Sequence, residues 1–296
     1  MKTVIIDETR DDLLTESGKL LFKSYQLANE SCQDTYKRLA ENFGSDVTSA
    51  QDIYDMVSKH QVTFATPIMK QSGISNQYSS CCVMRMDDDS TSIRECVSEA
   101  AHAGSLGYGL GVDMGVLRAN RSKIGNYGVS PGPIGFIKML EASTIVWTQA
   151  GGRPVSACVF VPWYHQDIAD IAVLKSNGGT DETRARRLKY AIKIDDVFIE
   201  RVQKNETVTL VERPAIFETL HGDEFRKAYE EFERQNQDKP KMNARDLWKL
   251  ILKERVETGN IYLFHKDNTN KLSMFDEIIT QSNLCTEITL PTIIKE

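Results

Sequence analysis

The chain has 296 residues, 41% of them hydrophobic and 26% charged, with a formal net charge of −6. That length buries a sizeable core in one large domain or two ordinary ones, and the acidic balance argues against a broad nucleic-acid-binding face. No apolar run approaches the roughly 20 residues of a membrane span, and the stretch after Met1 is shorter than the roughly 7–15 apolar residues of a secretory signal, so the chain reads as cytoplasmic.

In chain order, residues 1–70 read as a helical region. Leu20-Leu21-Phe22 begins it, and Tyr36, Leu39, Ala40 and Phe43 recur at helical spacing before Gly44. Ser49-Ala50-Gln51-Asp52 has the pattern of an N-terminal cap for a helix that places Ile53, Met56, Val57 and His60 on one face. His60 belongs at the edge of that face.

From about Val62 the pattern changes to short β-rich runs at 77–84, 109–114, 155–161, 190–194 and 261–264, separated by helical stretches. Ser92-Ile93-Arg94-Glu95 reads as the cap of a helix with Ile93, Cys96, Val97 and Ala100 facing inward, and Gly104 is suited to end it. Pro133 is placed to start the next helix, 134–149, whose apolar residues on nearly all sides predict burial against a sheet. Arg184-Ala185-Arg186-Arg187 reads as a solvated helix face or a phosphate contact. The segment 223–237 is an amphipathic helix with Phe225, Ala228, Tyr229 and Phe232 inward. Asn243 caps the following one, which ends at Gly259. Alternation of strand and helix predicts an α/β fold with parallel strands.

The six cysteines, Cys32, Cys81, Cys82, Cys96, Cys158 and Cys285, include no C-x-x-C and no Cys/His pair at zinc-finger spacing, so no metal site is expected. Reduced thiols at apolar positions serve as small core residues, which is the reading for Cys96. Gly107-Tyr108-Gly109-Leu110-Gly111 lets backbone approach closely but lacks the strand-turn-helix setting of a dinucleotide fingerprint. Gly151-Gly152-Arg153-Pro154 pairs a flexible loop with a guanidinium suited to phosphate, or is a simple turn. Asn283, Cys285 and Glu287 are spaced two apart, so an extended backbone would point an amide, a thiol and a carboxylate the same way. Such a trio suits chemistry on a hydroxylated substrate, with the carboxylate taking a hydroxyl proton and the amide holding an oxygen, or else it serves structure alone.

Ser282-Asn283-Leu284-Cys285-Thr286-Glu287-Ile288 resembles the active-site loop of ribonucleotide reductase large subunits. Ala65-Thr66-Pro67-Ile68-Met69, Gln77-Tyr78-Ser79-Ser80-Cys81, Gly109-Leu110-Gly111-Val112-Asp113 and Gln149-Ala150-Gly151-Gly152-Arg153 resemble further motifs of that family, in its order. The resemblance runs from about Asp12 to Thr292 and is closest to the class I enzymes. It implies a ten-stranded α/β barrel made of two halves, with this chain supplying the helical region (1–70) and the first half (71–296), up to the cysteine loop.

The resemblance further implies that Cys285 becomes a transient thiyl radical that removes the 3′-hydrogen of a ribose, that Glu287 is the base for the 3′-hydroxyl and that Asn283 bonds the ribose hydroxyls. Cys81 would be one of two thiols that reduce the sugar and end as a disulfide. Thr66, Ser80 and Gly109 would contact substrate. Asp88 and Arg118 would bind a deoxynucleoside triphosphate (dNTP) or ATP effector near a homodimer interface, and Gln149 and Arg153 would belong to the loop that relays effector identity. A second effector arginine is replaced by Gly125.

No cofactor is expected on this chain itself, the radical being supplied by a dimetal small subunit and the electrons by thioredoxin or glutaredoxin. The regulatory domain, the second reducing cysteine and the second barrel half have no counterpart here. The implied enzyme is therefore a split, phage-like ribonucleoside-diphosphate reductase completed by a complementary chain. Competing expectations are a non-catalytic nucleotide-binding or assembly fragment, and a piece of a cobalamin-dependent (class II) reductase.

Overall fold

A computed structural model describes residues 3–126, 128–147 and 155–292. The chain divides into two compact units, Met1–Ser80 and Cys81–Glu296.

The first unit is helical: α1 (Glu16–Phe22), α2 (Cys32–Phe43), α3 (Val47–Ser58) and α4 (Thr66–Gln71). Leu39 and Ala40 of α2 pack with Ala50, Tyr54 and Val57 of α3 around Phe22 and Met69. Arg38 links the pieces, bonding Glu30 at 2.6 Å and the Ser72 carbonyl at 2.7 Å. Helix α3 starts one turn earlier than Ser49 suggests. Asp46 is its cap, its carboxylate accepting the Ser49 amide while the Ser49 hydroxyl accepts the Asp46 amide, so Ser49 is the third helical residue of a capping box. The helix ends at Ser58, which leaves His60 beyond it at φ +56, with its Nε2 3.4 Å from the Tyr36 hydroxyl.

The second unit runs β1 (Cys81–Arg85), α5 (Ser90–Ser105), β2 (Gly109–Asp113), β3 (Lys123–Ile124), β4 (Gly128–Val129), α6 (Gly132–Val146), β5 (Ala157–Pro162), α7 (Ile168–Ala172), β6 (Lys189–Ile194), α8 (Asp196–Lys204), β7 (Thr207–Thr209), α9 (Gly222–Gln235), β8 (Lys241–Asn243), α10 (Ala244–Thr258), β9 (Tyr262–His265) and α11 (Lys266–Lys271). The five β-rich runs of the sequence are the five strands of one parallel sheet, in the order β1-β2-β5-β6-β9. The pairs β3–β4 and β7–β8 are small antiparallel additions that two- and three-residue runs do not announce.

In this sheet, strands adjacent in sequence are adjacent in space. Crossovers of one hand then place their helices on one face. That face carries Leu110, Val112, Val159, Val161, Tyr190 and Ile192 against residues of α5, α6, α8 and α10, in the main core. The alternate residues Cys158, Phe160, Ala191 and Phe264 point the other way, where Ile279 and Leu284 cover them. This second, inner face is where the carboxyl-terminal segment lies.

Several boundaries differ from the sequence reading. Asp89, not Ser92, caps α5, accepting the amides of Thr91 and Ser92. Gly104 does not end that helix but lies inside it, where an added Cβ would stand 3.3 Å from Val155. The arginines around Ala185 form no helix. Arg184 and Arg186 instead donate to the carbonyls of Gly178, Ser176 and Gly179 and hold the 176–183 loop. Asn243 and Gly259 cap α10 as expected, Gly259 at φ +61. Among the described residues no helix is long and apolar enough to cross a membrane.

Candidate active site

The segment 278–288 runs across the inner face with most of its polar side chains buried, which is unusual for a loop and means each must find a partner. Thr280, Gln281, Ser282 and Asn283 are each fully buried. The Thr280 hydroxyl donates to Asp113 Oδ2 at 2.7 Å, and Gln281 Nε2 donates to the Met84 carbonyl of β1 at 2.8 Å.

Beneath this segment lie the two glycines of β2. A Cβ on Gly111 would overlap the Ser282 carbonyl and stand 2.7 Å from Asn283 Cα, while one on Gly109 would stand 2.6 Å from Leu284 Cδ2 and 3.2 Å from Cys81 Sγ. The glycine-rich run does admit close backbone approach. The backbone that approaches Gly111 is that of the chain's own loop.

The backbone then turns rather than staying extended, which corrects the geometry expected for the Asn283, Cys285, Glu287 trio. The Thr286 amide donates to the Asn283 carbonyl at 3.2 Å, and Thr286 sits at φ +66, a conformation that a β-branched residue rarely adopts. The turn leaves Asn283 buried and lifts Cys285 and Glu287 into exposure.

Asn283 Oδ1 accepts the amides of Glu287 at 3.0 Å and Ile288 at 3.1 Å, closing the loop on itself. Its Nδ2 is buried without a partner. Cys81, half-buried at the start of β1, packs in the same inner-face cluster as Leu284, next to Cys285. Cys285, Asn283, Glu287, Cys81 and Gly109 are thus gathered at one end of one face.

The remaining cysteines divide by burial. Desolvation pushes the thiols of Cys82 and Cys96 up to about 11 and about 12, and raises that of Cys158 further, so these three stay protonated. Cys82 and Cys96 face the helix-covered core, as residues of ordinary packing.

Asp88 and Arg118 also meet. Arg118 Nε lies 2.9 and 2.7 Å from the two Asp88 oxygens, and Nη1 reaches the Lys123 carbonyl at 3.4 Å. Gly125 adopts φ +50 between β3 and β4, a position that suits glycine. Thr66 opens α4 and Ser80 ends the first unit, both half-buried. Gln149 and Arg153 lie outside the described residues.

The sequence reading missed the charges under the loop. Asp113 and Lys193 are buried, with Lys193 Nζ 2.9 Å from Asp113 Oδ1 and 2.8 Å from Glu218 Oε1. Burial alone would raise the Asp113 carboxyl, but the Lys193 ammonium holds it down at about 2. Lys266 adds its ammonium to the Glu218 carbonyl. A lysine inside the apolar run Tyr190-Ala191-Ile192-Lys193-Ile194 was the available signal, since such a charge is buried only when paired.

A parallel sheet ordered as its strands occur in sequence, with a loop carrying an exposed thiol across its inner face, defines the class as an α/β fold of the kind that closes into barrels. The family described as ribonucleotide reductase, barrel domain, matches residues 79–295, and the chain belongs to it. It is 36% identical over 255 residues to the ribonucleoside-diphosphate reductase subunit alpha of Buchnera aphidicola subsp. Schizaphis graminum, covering 82% of this chain and 33% of that protein. The corresponding subunit of Enterobacteria phage T4 is 34% identical over 251 residues, covering 81% of this chain and 33% of that protein. Ribonucleoside-diphosphate reductase 1 subunit alpha of Escherichia coli K12 is 33% identical over 252 residues, with the same two coverages. The chain spans about a third of the length of these curated relatives.

Proposed function

We propose that this chain carries the radical-thiol part of a class I ribonucleoside-diphosphate reductase active site, which works once the rest of the relatives' length, linked or separate, completes the barrel. The observation that carries the reading is the Cys285 turn, which exposes one sulfur beside a buried amide with a free donor. Cys285, as a thiyl radical, takes the 3′-hydrogen of the ribose and becomes a thiol. Glu287 accepts the 3′-hydroxyl proton, and Asn283 Nδ2 donates to a ribose oxygen. Cys81 and a second thiol supply two electrons and two protons, the 2′-oxygen leaves as water and the pair ends as a disulfide; the Cys285 thiol then returns its hydrogen to C3′, which restores the thiyl radical, and Glu287 returns the hydroxyl proton. The motif resemblance supports Gly109 as a substrate contact in the second unit, and Thr66 and Ser80 as substrate contacts contributed by the first. The relatives' name supports a ribonucleoside diphosphate as substrate.

In the same reading the assembly is a cytoplasmic homodimer of large subunits. It takes its radical from a dimetal small subunit and its electrons from thioredoxin or glutaredoxin. Asp88, Arg118, Gln149 and Arg153 read a dNTP or ATP effector. β1 and β9, the outermost strands of the sheet among the described residues, are edges on which a complementary barrel half would seat.

Conversion of labelled CDP to dCDP with a dithiol reductant, in the assembly with small subunit and complementary polypeptide, is the test. Turnover abolished by Cys285→Ala and by Cys81→Ser is expected. Turnover that survives Cys285→Ala would reject the reading.

A further inference from the structure

The turn that carries Cys285 is closed by its own residues and seated through Leu284 in the inner-face core. Its register along the sheet is fixed further by polar anchors that begin three residues earlier. Thr280 donates to Asp113 Oδ2 at 2.7 Å, and Asp113 is itself held at both oxygens, by Lys193 Nζ at 2.9 and 3.1 Å and by the Gly115 amide at 2.9 Å on Oδ1. Asp113 ends β2 and Lys193 stands in β6, so the acceptor that receives Thr280 is braced across the sheet. The next residue, Gln281, is bound to β1 through the Met84 carbonyl, and Gly111 supplies the missing Cβ that lets the backbone lie down between these two anchors.

We propose that Asp113 is a positioning residue for the reacting thiol, acting through Thr280 to set where Cys285 stands over the inner face. This rests on the reading of Cys285 as the reacting group. A carboxylate paired with an ammonium is a stronger and more directional acceptor than a neutral one. A cluster that served packing alone is replaceable by apolar side chains without loss. Here Asp113, Lys193 and Glu218 instead point one carboxylate oxygen at the entering loop, 167 residues away in sequence. Hydrogen abstraction demands such placement, because reacting atoms must meet within a few tenths of an ångström.

The test uses Thr280→Val, which keeps the shape and removes the hydroxyl, and Thr280→Ser, which restores it. In the full chain, hydrogen exchange at the Glu287 and Ile288 amides, both held by Asn283 Oδ1, reads the order of the turn. In the assembled reductase, kcat and KM read the placement of the thiol. Expected for Thr280→Val is about tenfold faster exchange at those two amides, the factor for one buried hydrogen bond. Exchange at Val159 and Ile192 should be unchanged, kcat should fall with KM retained, and Thr280→Ser should recover both. If Thr280→Val instead unfolds, seen as fast exchange in β5, Thr280→Ala, which also removes the hydroxyl and leaves the Asp113–Lys193 pair intact, carries the same readouts in the same direction.

The proposal is overturned if kcat stays at the wild-type level in Thr280→Val, or if it falls while exchange in the turn does not move. An assembly in which the wild-type chain shows no turnover would defeat the functional reading, while the exchange measurement would still decide whether Thr280 and Asp113 hold the turn.

Discussion

Gly111 and Ser282 are in backbone contact: the Ser282 carbonyl fills the space where any other residue at 111 would carry its Cβ. The strand and the loop have no freedom to separate without lifting Leu284 out of the inner-face core. Gly111→Ala is expected to cost about 2–3 kcal/mol, as overpacking in a rigid site does, and to speed alkylation of Cys285 by iodoacetamide. Gly128→Ala, where an added methyl meets nothing within 4 Å, is the control and should change stability by no more than about 0.5 kcal/mol. Urea unfolding of the three proteins checks this, and equal midpoints would mean that the Ser282 carbonyl does not fill the space beside residue 111.

Asn283 holds two amides with one oxygen, those of Glu287 and Ile288. Asn283→Ala strands both donors, and a loss of about 1–3 kcal/mol in unfolding free energy is expected. The partnerless Nδ2 tempers that loss, because its removal relieves a buried unsatisfied donor. Calorimetric unfolding of the variant decides, and a Tm at or above the wild-type value would show that the turn is held by something other than this side chain.

The parallel sheet was legible because buried strands are continuous apolar runs bounded by turn residues, and 109–114 and 190–194 are of that kind. Helix starts were misplaced by one turn at Ser49 and Ser92 because an acidic cap three residues earlier, Asp46 or Asp89, satisfies the same amides more strongly than serine alone. The trio Asn283, Cys285, Glu287 was legible as a set of residues but not as a geometry. Alternation along an extended backbone assumes β-region dihedrals, and Thr286 at φ +66 breaks that assumption. The partnership of Asp113 with Thr280 was not legible, since it joins residues 167 apart and only the folded sheet brings them together.

Arg118 donates to Asp88 and to the Lys123 carbonyl, so any anion that pairs with its guanidinium competes with existing partners. Both side chains are partly solvated, and Arg118→Ala should therefore cost less than about 1 kcal/mol in stability. If the effector reading holds, the same change weakens dTTP binding by about 10–100-fold, the worth of one or two charge-assisted bonds. Titration calorimetry on wild type and variant measures it. Equal affinities would remove Arg118 from the effector site.

Asp195 offers a pH test that needs no activity. It is fully buried, and burial pushes its carboxyl from 3.8 up to about 7, against the stabilising bonds from Trp163 Nε1 at 2.7 Å and the Phe198 amide at 2.8 Å, with nearby Asp267 raising it further and Lys266 lowering it. Because the folded value lies above the unfolded one, the folded state keeps a proton that the unfolded state has released across the window between them. The contribution to stability is therefore fully present below about 3.8 and is lost as pH rises to about 7, by up to roughly 1.4 kcal/mol per pH unit, then stays level. Asp195→Asn carries no titrating proton, so its stability relative to wild type should rise between pH 4 and pH 7 and hold constant above. Urea unfolding at intervals of one pH unit reads the difference directly. Parallel curves for the two proteins would show that Asp195 is ionised in the fold, which would require a compensating positive charge beside Trp163 in place of a proton.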